Sequence, residues 1–409
     1  MAEDAFEAAL RRRTAAMKEK AEILRLRYDY AEAAAVLREV ARLDPDDTWS
    51  HVALGDIAEI LNDSTQALQA FRAAEAAARR MGDDRDVSVT LTRTGDVLLA
   101  HGDLAGALAR YEEGLEIARR LASADPSHAE RQRDLSVNLN KTGVVLRAQG
   151  DLAGALTRFE EGLAIRRRLA NADSSDARCQ RDLLSSFVRT GGVLFAQDDL
   201  AGALARFEEG LEIARRLASA EPSLVERQRD VSVSLERTGE VLFAQGELAG
   251  ALAHYQEGLE ISRRLAGADP SHAERRRDVS VSLEKTGDVL RAQGDLAGAL
   301  AAYEEGLAIR RRLASADPSH AERQRDLSVS LSKLARTAHA QGEPEQACRH
   351  LQEALAIMRP LAERFPEHPG FRRDLQWIEE RRAEWRCGDP AAAGRKRRAG
   401  GGDTSKRRR

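Results

Sequence analysis

The chain has little cysteine, few aromatic rings and no long apolar run, and each shortage closes off a class of protein. Only three cysteines occur in 409 residues, Cys179, Cys348 and Cys387, far apart and without a CxxC pair. That spacing excludes a dense disulfide framework and a thiolate zinc site, and it leads to the expectation of free thiols in a reducing, cytoplasmic setting. The opening MAEDAFEAALRRR mixes acids with arginines, and no later stretch approaches ~18 consecutive apolar residues, so neither export nor membrane insertion is expected. Aromatic residues make up 4% of the chain against 42% hydrophobic residues in all, which leaves Ala and Leu to carry burial through many small contacts. Also missing are the phosphate-cradling GxxxxGKS/T loop, GxSxG, HExxH and a dinucleotide fingerprint. No catalytic residue, cofactor site or metal site is therefore assigned, and an enzyme is not expected.

What the chain has in abundance is copies of one sentence. The stretch GDLAGALARYEEGLEIARRLASADPSHAERQRD begins at Gly102, and most of it returns from Gly150, Asp198, Gly246 and Gly294, 48 residues apart each time. Self-similarity at a fixed period replaces any domain count drawn from length. Within one copy, Leu135, Leu139, Thr142, Gly143 and Leu146 fall on one stripe of a 3.6-residue period, as do Leu152, Ala155, Leu156, Phe159 and Leu163. Each copy thus predicts two amphipathic helices. AQGD at 148–151 supplies a Gly to end the first and an Asp to cap the second, and ADPS at 124–127 ends the second. Connections this short make neighbours antiparallel.

Finer features also repeat. Ser127 with Glu130 has the spacing of a capping box, as do Ser223/Glu226, Ser271/Glu274 and Ser319/Glu322, while Ser175 to Arg178 breaks it. His128, His272 and His320 fall inside those boxes with no partner at metal-ligand spacing. EEGLEIARR places Glu112 or Glu116 ahead of Arg119 or Arg120, which predicts exposed ion pairs along one helix. Gly114, Gly162, Gly210, Gly258 and Gly306 each cost about 1 kcal/mol of helix propensity relative to Ala, so their recurrence predicts close packing.

A small pair in the first helix is followed, 12 positions after its Gly, by a small residue, then four later by a large ring or apolar residue and three later by another small one. The set is Gly55, Ala67, Phe71, Ala74; Gly95, Ala107, Tyr111, Gly114; Gly143, Ala155, Phe159, Gly162; Gly191, Ala203, Phe207, Gly210; Gly239, Ala251, Tyr255, Gly258; and Gly287, Ala299, Tyr303, Gly306. Degenerate copies flank it at Ala21, Ala33, Leu37, Val40 and at Ala335, Ala347, Leu351, Ala354. Over roughly residues 15–365 the chain resembles the tetratricopeptide repeat family on these residues. Endings such as LAIRRRLA are similar to kinesin light chain repeats. The resemblance implies an all-α, right-handed superhelical solenoid of about eight antiparallel helix pairs, in which first helices line a concave groove that binds protein or peptide. Ordinary copies run about 34 residues, so the surplus here adds about two turns to each helix.

On this reading, residues 1–80 form helix pairs of near-usual length, 81–365 the long repeats, 366–387 a capping helix carrying Phe371, Leu375, Ile378 and Trp385, and 388–409 a disordered basic tail. That tail holds Arg395, Lys396, Arg397, Arg398, Lys406, Arg407, Arg408 and Arg409 against Asp389 and Asp403, a net of +6 in a chain of net −3. It is the one place where nucleic acid or an anionic surface would bind, although it has no ring for base stacking.

Letters held constant between copies maintain stacking, and letters that change on an exposed face are available for recognition. Three first-helix columns change: Thr92, Asn140, Val188, Glu236, Glu284, Ser332; then Asp96, Val144, Gly192, Glu240, Asp288, Arg336; then Leu99, Arg147, Phe195, Phe243, Arg291, His339. A fourth keeps its positive charge: Arg93, Lys141, Arg189, Arg237, Lys285, Lys333. Either each of these cations pairs with an acid on a neighbouring helix, or some meet an acidic segment of a partner. The expectation is a monomeric, non-enzymatic scaffold whose groove residues include these columns.

Overall fold

The computed structural model describes residues 2–387, with side chains from residue 8. The described residues form seventeen α-helices and no strand. They divide into two compact units, the first ending at Gly210 and the second beginning at Leu211. The first holds α1 (Ala2–Leu26), α2 (Tyr30–Leu43), α3 (Thr48–Ile60), α4 (Ser64–Met81), α5 (Asp84–Ala100), α6 (Leu104–Ala124), α7 (Ala129–Ala148), α8 (Leu152–Ala172) and α9 (Ala177–Ala196). The second holds α11 (Val225–Ala244), α12 (Leu248–Ala268), α13 (Ala273–Ala292), α14 (Leu296–Ala316), α15 (Ala321–Ala340), α16 (Pro344–Arg364) and α17 (Pro369–Glu384), while α10 (Leu200–Ala220) spans the junction. The basic tail lies outside the described residues.

The turn between the two helices of a copy is set by two residues. Gly150 adopts φ +88°, a left-handed conformation open to Gly at little steric cost, and the Asp151 carboxylate then accepts from the Gly154 N–H at 2.8 Å. In one copy Asp198 takes the glycine's place at φ +65°. Each helix then packs mainly on the next in sequence within its unit, so the chain is an all-α solenoid of stacked pairs.

Ring against glycine is the repeating contact. A β-carbon on Gly95 would stand 2.5 Å from Tyr111 Cε1, one on Gly143 2.7 Å from Phe159 Cε1, and one on Gly287 2.6 Å from Tyr303 Cε1. The second-helix glycines are less demanding. Gly114 is the tightest, with Asn138 Oδ1 2.8 Å from its would-be β-carbon, and Gly162 and Gly210 are closer than ordinary at 3.1 and 3.3 Å, whereas at Gly258 and Gly306 the nearest atoms are at an ordinary 3.7 and 3.5 Å. Close packing therefore falls mainly on the first-helix glycines.

Three sequence expectations are corrected. The serine boxes do not form: Ser127 donates from its N–H (3.2 Å) and Oγ (2.7 Å) to Asp125, and Ser271 and Ser319 do the same with Asp269 and Asp317. The Asp two residues earlier captures both serine donors in a local turn, and the helix starts one residue later on His128, His272 or His320. The ion pairs predicted along one helix run between copies instead. Arg119 reaches Glu161 at 2.5 Å, Arg167 reaches Glu209 at 2.6 Å, and Arg263 reaches Glu305 at 2.7 Å, each 42 residues on. Arg119 is half-buried while Glu116 stands exposed, so the carboxylate it meets is the one on the next second helix. Finally, Cys348 and Cys387 are joined in a disulfide, with Cα atoms 5.3 Å apart. Because α17 packs back on α16, cysteines 39 residues apart in sequence become neighbours.

These second-helix ion pairs are solvent-accessible, with Glu113 39% exposed beside Arg79. Replacing Glu113 with Ala is expected to change the unfolding free energy by no more than about 1 kcal/mol in a denaturant titration.

Candidate functional site

First helices of successive pairs approach one another closely within a unit, as α5 does α7 and α15 does α17. Their facing residues are laced by a second ladder: Arg85 to Asp134 at 2.7 Å and Arg133 to Asp182 at 2.8 Å in the first unit, Arg229 to Asp278 at 3.0 Å and Arg277 to Asp326 at 2.9 Å in the second. The variable columns belong to these same first helices, and their members differ in what they present.

In the first unit Thr92 donates to Asn138 Oδ1 at 3.1 Å, and Asp96 accepts from Tyr111 Oη and from Lys141 Nζ, both at 2.6 Å. Arg93 stands exposed within reach of the charges of Asp56 and Glu59, whose carboxyl pKa values are raised first by burial. These groups border a cleft of about 320 Å³ between α5, α6 and α7, lined by Thr92, Arg93, Asp96, Arg133, Val137 and Lys141 among others. Asn140 is only 5% exposed and donates to Ser136 O at 2.7 Å, so it presents little to the face. Arg147 is exposed, Arg189 half-buried, and Phe195 37% exposed, enough to serve as an apolar contact.

The second unit is richer in acids, and Glu240, Glu284 and Asp288 are committed to cations. Glu240 accepts from Lys285 at 2.7 Å and Arg237 at 2.9 Å; Lys333 meets Asp288 at 2.5 Å and Glu284 at 2.7 Å; Asp288 also takes the Tyr303 hydroxyl at 2.7 Å. Glu236 is half-buried, and burial, followed by the charge of Glu240, raises its pKa. Phe243 and Arg291 are half-buried and Arg336 is exposed. Of the six cations in the constant column, Lys141, Arg237, Lys285 and Lys333 are thus ion-paired.

Sequence reasoning passed over two buried arginines. Arg166 and Arg310 are 7% and 5% exposed. Arg310 bonds Glu284 at 2.5 Å, whereas Arg166 bonds the Ser136 and Ser186 hydroxyls and the Asp182 carbonyl. Burial is the main cause lowering the pKa of Arg166, to about 10. The available signal was the column itself, which reads Ala118, Arg166, Ala214, Ser262, Arg310, small residues except for these two. Among the described residues no cluster of His, Cys, Asp and Glu could hold a metal ion, and no helix is long and apolar enough to cross a membrane.

Comparison with known proteins agrees with this geometry. Models of the tetratricopeptide repeat match residues 29–82, 139–176, 234–274, 282–322 and 328–353. The chain is a tetratricopeptide repeat protein. No curated protein matches it. Among solved structures it is similar to a STAND signal-transduction ATPase with a tetratricopeptide repeat sensor from Pyrococcus horikoshii, at 11% identity and TM-score 0.58, covering 88% of this chain and 48% of that one. It is also similar to the apo form of the quorum sensor NprR from B. thuringiensis, at 12% identity and TM-score 0.54, covering 84% and 87%. The apo form of RapI matches at 13% identity and TM-score 0.52, covering 78% and 99%. At these identities the likeness is one of fold.

Proposed function

We propose that the chain is a non-enzymatic interaction scaffold that binds a protein or peptide partner along its first-helix faces. The observation that carries this reading is a contrast on one surface. Constant letters are spent on ring-to-glycine contacts and ion-pair ladders, while the changing letters include an exposed Phe195 beside cations that no acid neutralises. Apolar anchors rimmed by charge are what recognition surfaces use. A tetratricopeptide repeat sensor and a quorum sensor among the structural neighbours are consistent with a binding role for this fold.

Phe195→Ala and Phe243→Ala, made separately, test the two units one at a time. Phe195→Ala is expected to weaken the partner by at least ~1 to 2 kcal/mol in calorimetry with an unchanged melting temperature. Phe243, half-buried, is expected to lose some melting temperature as well. A partner bound equally by both variants and the wild type would contradict the reading.

A further inference from the structure

A copy-by-copy count of charge singles out one place on the first unit. One residue after the first-helix Gly stand Asp96, Glu240 and Asp288, and each takes the cation of the next copy: Lys141 at 2.6 Å, Lys285 at 2.7 Å and Lys333 at 2.5 Å. In the two intervening copies that position is Val144 and Gly192. The core changes with it. Tyr111 and Tyr303 donate their hydroxyls to Asp96 and Asp288, whereas the rings packed in the Val144 and Gly192 copies are Phe159 and Phe207, which have none. A second acid is missing as well, because the place that Glu284 holds opposite Arg310 is held by Asn140 in the Arg166 copy.

The result is three arginines without a dedicated counter-charge. Among the described residues, Arg147 on α7 and Arg189 on α9 have no ion-pair or hydrogen-bond partner. Arg166 feels the charge of Asp182, but that carboxylate is committed to Arg133 at 2.8 Å. Burial and then the like charge of Arg147 hold the Arg189 guanidinium below the ordinary arginine pKa. The spot is open: a β-carbon at Gly192 would meet Arg147 Nη1 at 3.8 Å and nothing else within 4 Å. Phe195 lies one turn further along the same helix.

We propose that the α7 and α9 face receives carboxylate groups of an acidic partner segment at Arg147 and Arg189, with an apolar side chain of that segment resting on Phe195. This rests on the interaction-face reading above. Guanidinium forks match carboxylates in geometry and charge, and an anion here relieves the repulsion between two cations. An extended phosphate backbone fits less well, because the residues before Gly388 carry a net −9 and would repel it.

The test uses the full chain and a dye-labelled peptide of alternating Asp and Leu, with its Asn counterpart as control. The Asp peptide is expected to bind the wild type at least tenfold tighter than the Asn peptide. Gly192→Asp, which restores the acid that sister copies carry, is expected to lose at least tenfold in affinity for the Asp peptide with an unchanged or raised melting temperature. Arg147→Gln with Arg189→Gln is expected to lose as much. Equal binding of the two peptides, no binding of the Asp peptide, or full binding by Gly192→Asp overturns the inference. Competition by free phosphate at the peptide's own potency also overturns it, in favour of a small-anion site. Hydrogen exchange on the complexes separates the two levels: protection of α7 and α9 that is indifferent to Asp or Asn leaves the interaction face standing and removes only the carboxylate site, whereas protection confined to second helices removes the face.

Discussion

Replacing Gly143 with Leu is expected to destabilise the first unit by about 3 kcal/mol or more, at the top of the usual range for overpacking. The β-carbon alone would stand 2.7 Å from Phe159 Cε1, and that ring is fully buried among Ala155, Val193 and Leu156, so it has nowhere to retreat. Because each helix contacts mainly its sequence neighbours, the loss should be steep near the substitution. Hydrogen exchange should show protection falling in α7, α8 and α9 and held in α14 to α16. A uniform loss from α1 to α17 would contradict a solenoid of nearest-neighbour contacts. Gly306→Ala is the matched control. There the added carbon would meet Ser280 O at 3.5 Å and Leu283 Cβ at 3.6 Å, ordinary contacts, so a gain of up to about 1 kcal/mol from helix propensity is expected.

The second large effect belongs to the end of the second unit. Reduction of the Cys348–Cys387 disulfide, or Cys348→Ser, is expected to cost about 4 kcal/mol, the chain-entropy value for opening a loop of 39 residues. The loss should centre on α17, whose Phe371 and Ile378 are buried against α15 and α16, with Trp385 stacked on His339 at a centroid distance of 4.1 Å. A melting curve with and without reductant checks this. The wild type should fall to the level of Cys348→Ser, and that variant should not respond to reductant. Identical wild-type curves would show that the bond contributes nothing to the cap.

These two sites also mark what could and could not be read from the chain before its structure. Glycine and ring recur at a fixed distance, so the contact between Gly143 and Phe159 was legible as a helix pair, and the period made its neighbours legible too. The disulfide was not, because its two cysteines meet only through the return of α17, a tertiary event with no local mark. The serine boxes had the right spacing and failed because the Asp two residues upstream offered a nearer acceptor. On the candidate face, the columns Asp96, Val144, Gly192 and Lys141, Arg189 were visible as lists. Their meaning depended on knowing that a cation pairs with the acid 45 residues before it, a register that only the packing of α5 on α7 supplies. Arg166 hid inside an RRR run whose following residue, Arg167, does what such a run suggests and pairs at the surface with Glu209.

The central claim, that partners meet the first-helix face, is tested most directly by site-specific photocrosslinking. A photoreactive residue is placed at Phe195 on α9 in one variant and at Glu113 on α6 in another, and each is exposed to the same binding partner. The account predicts covalent capture from position 195, suppressed in the Gly192→Asp background, and none from position 113. Capture from 113 with none from 195 would place recognition on the second helices and contradict it.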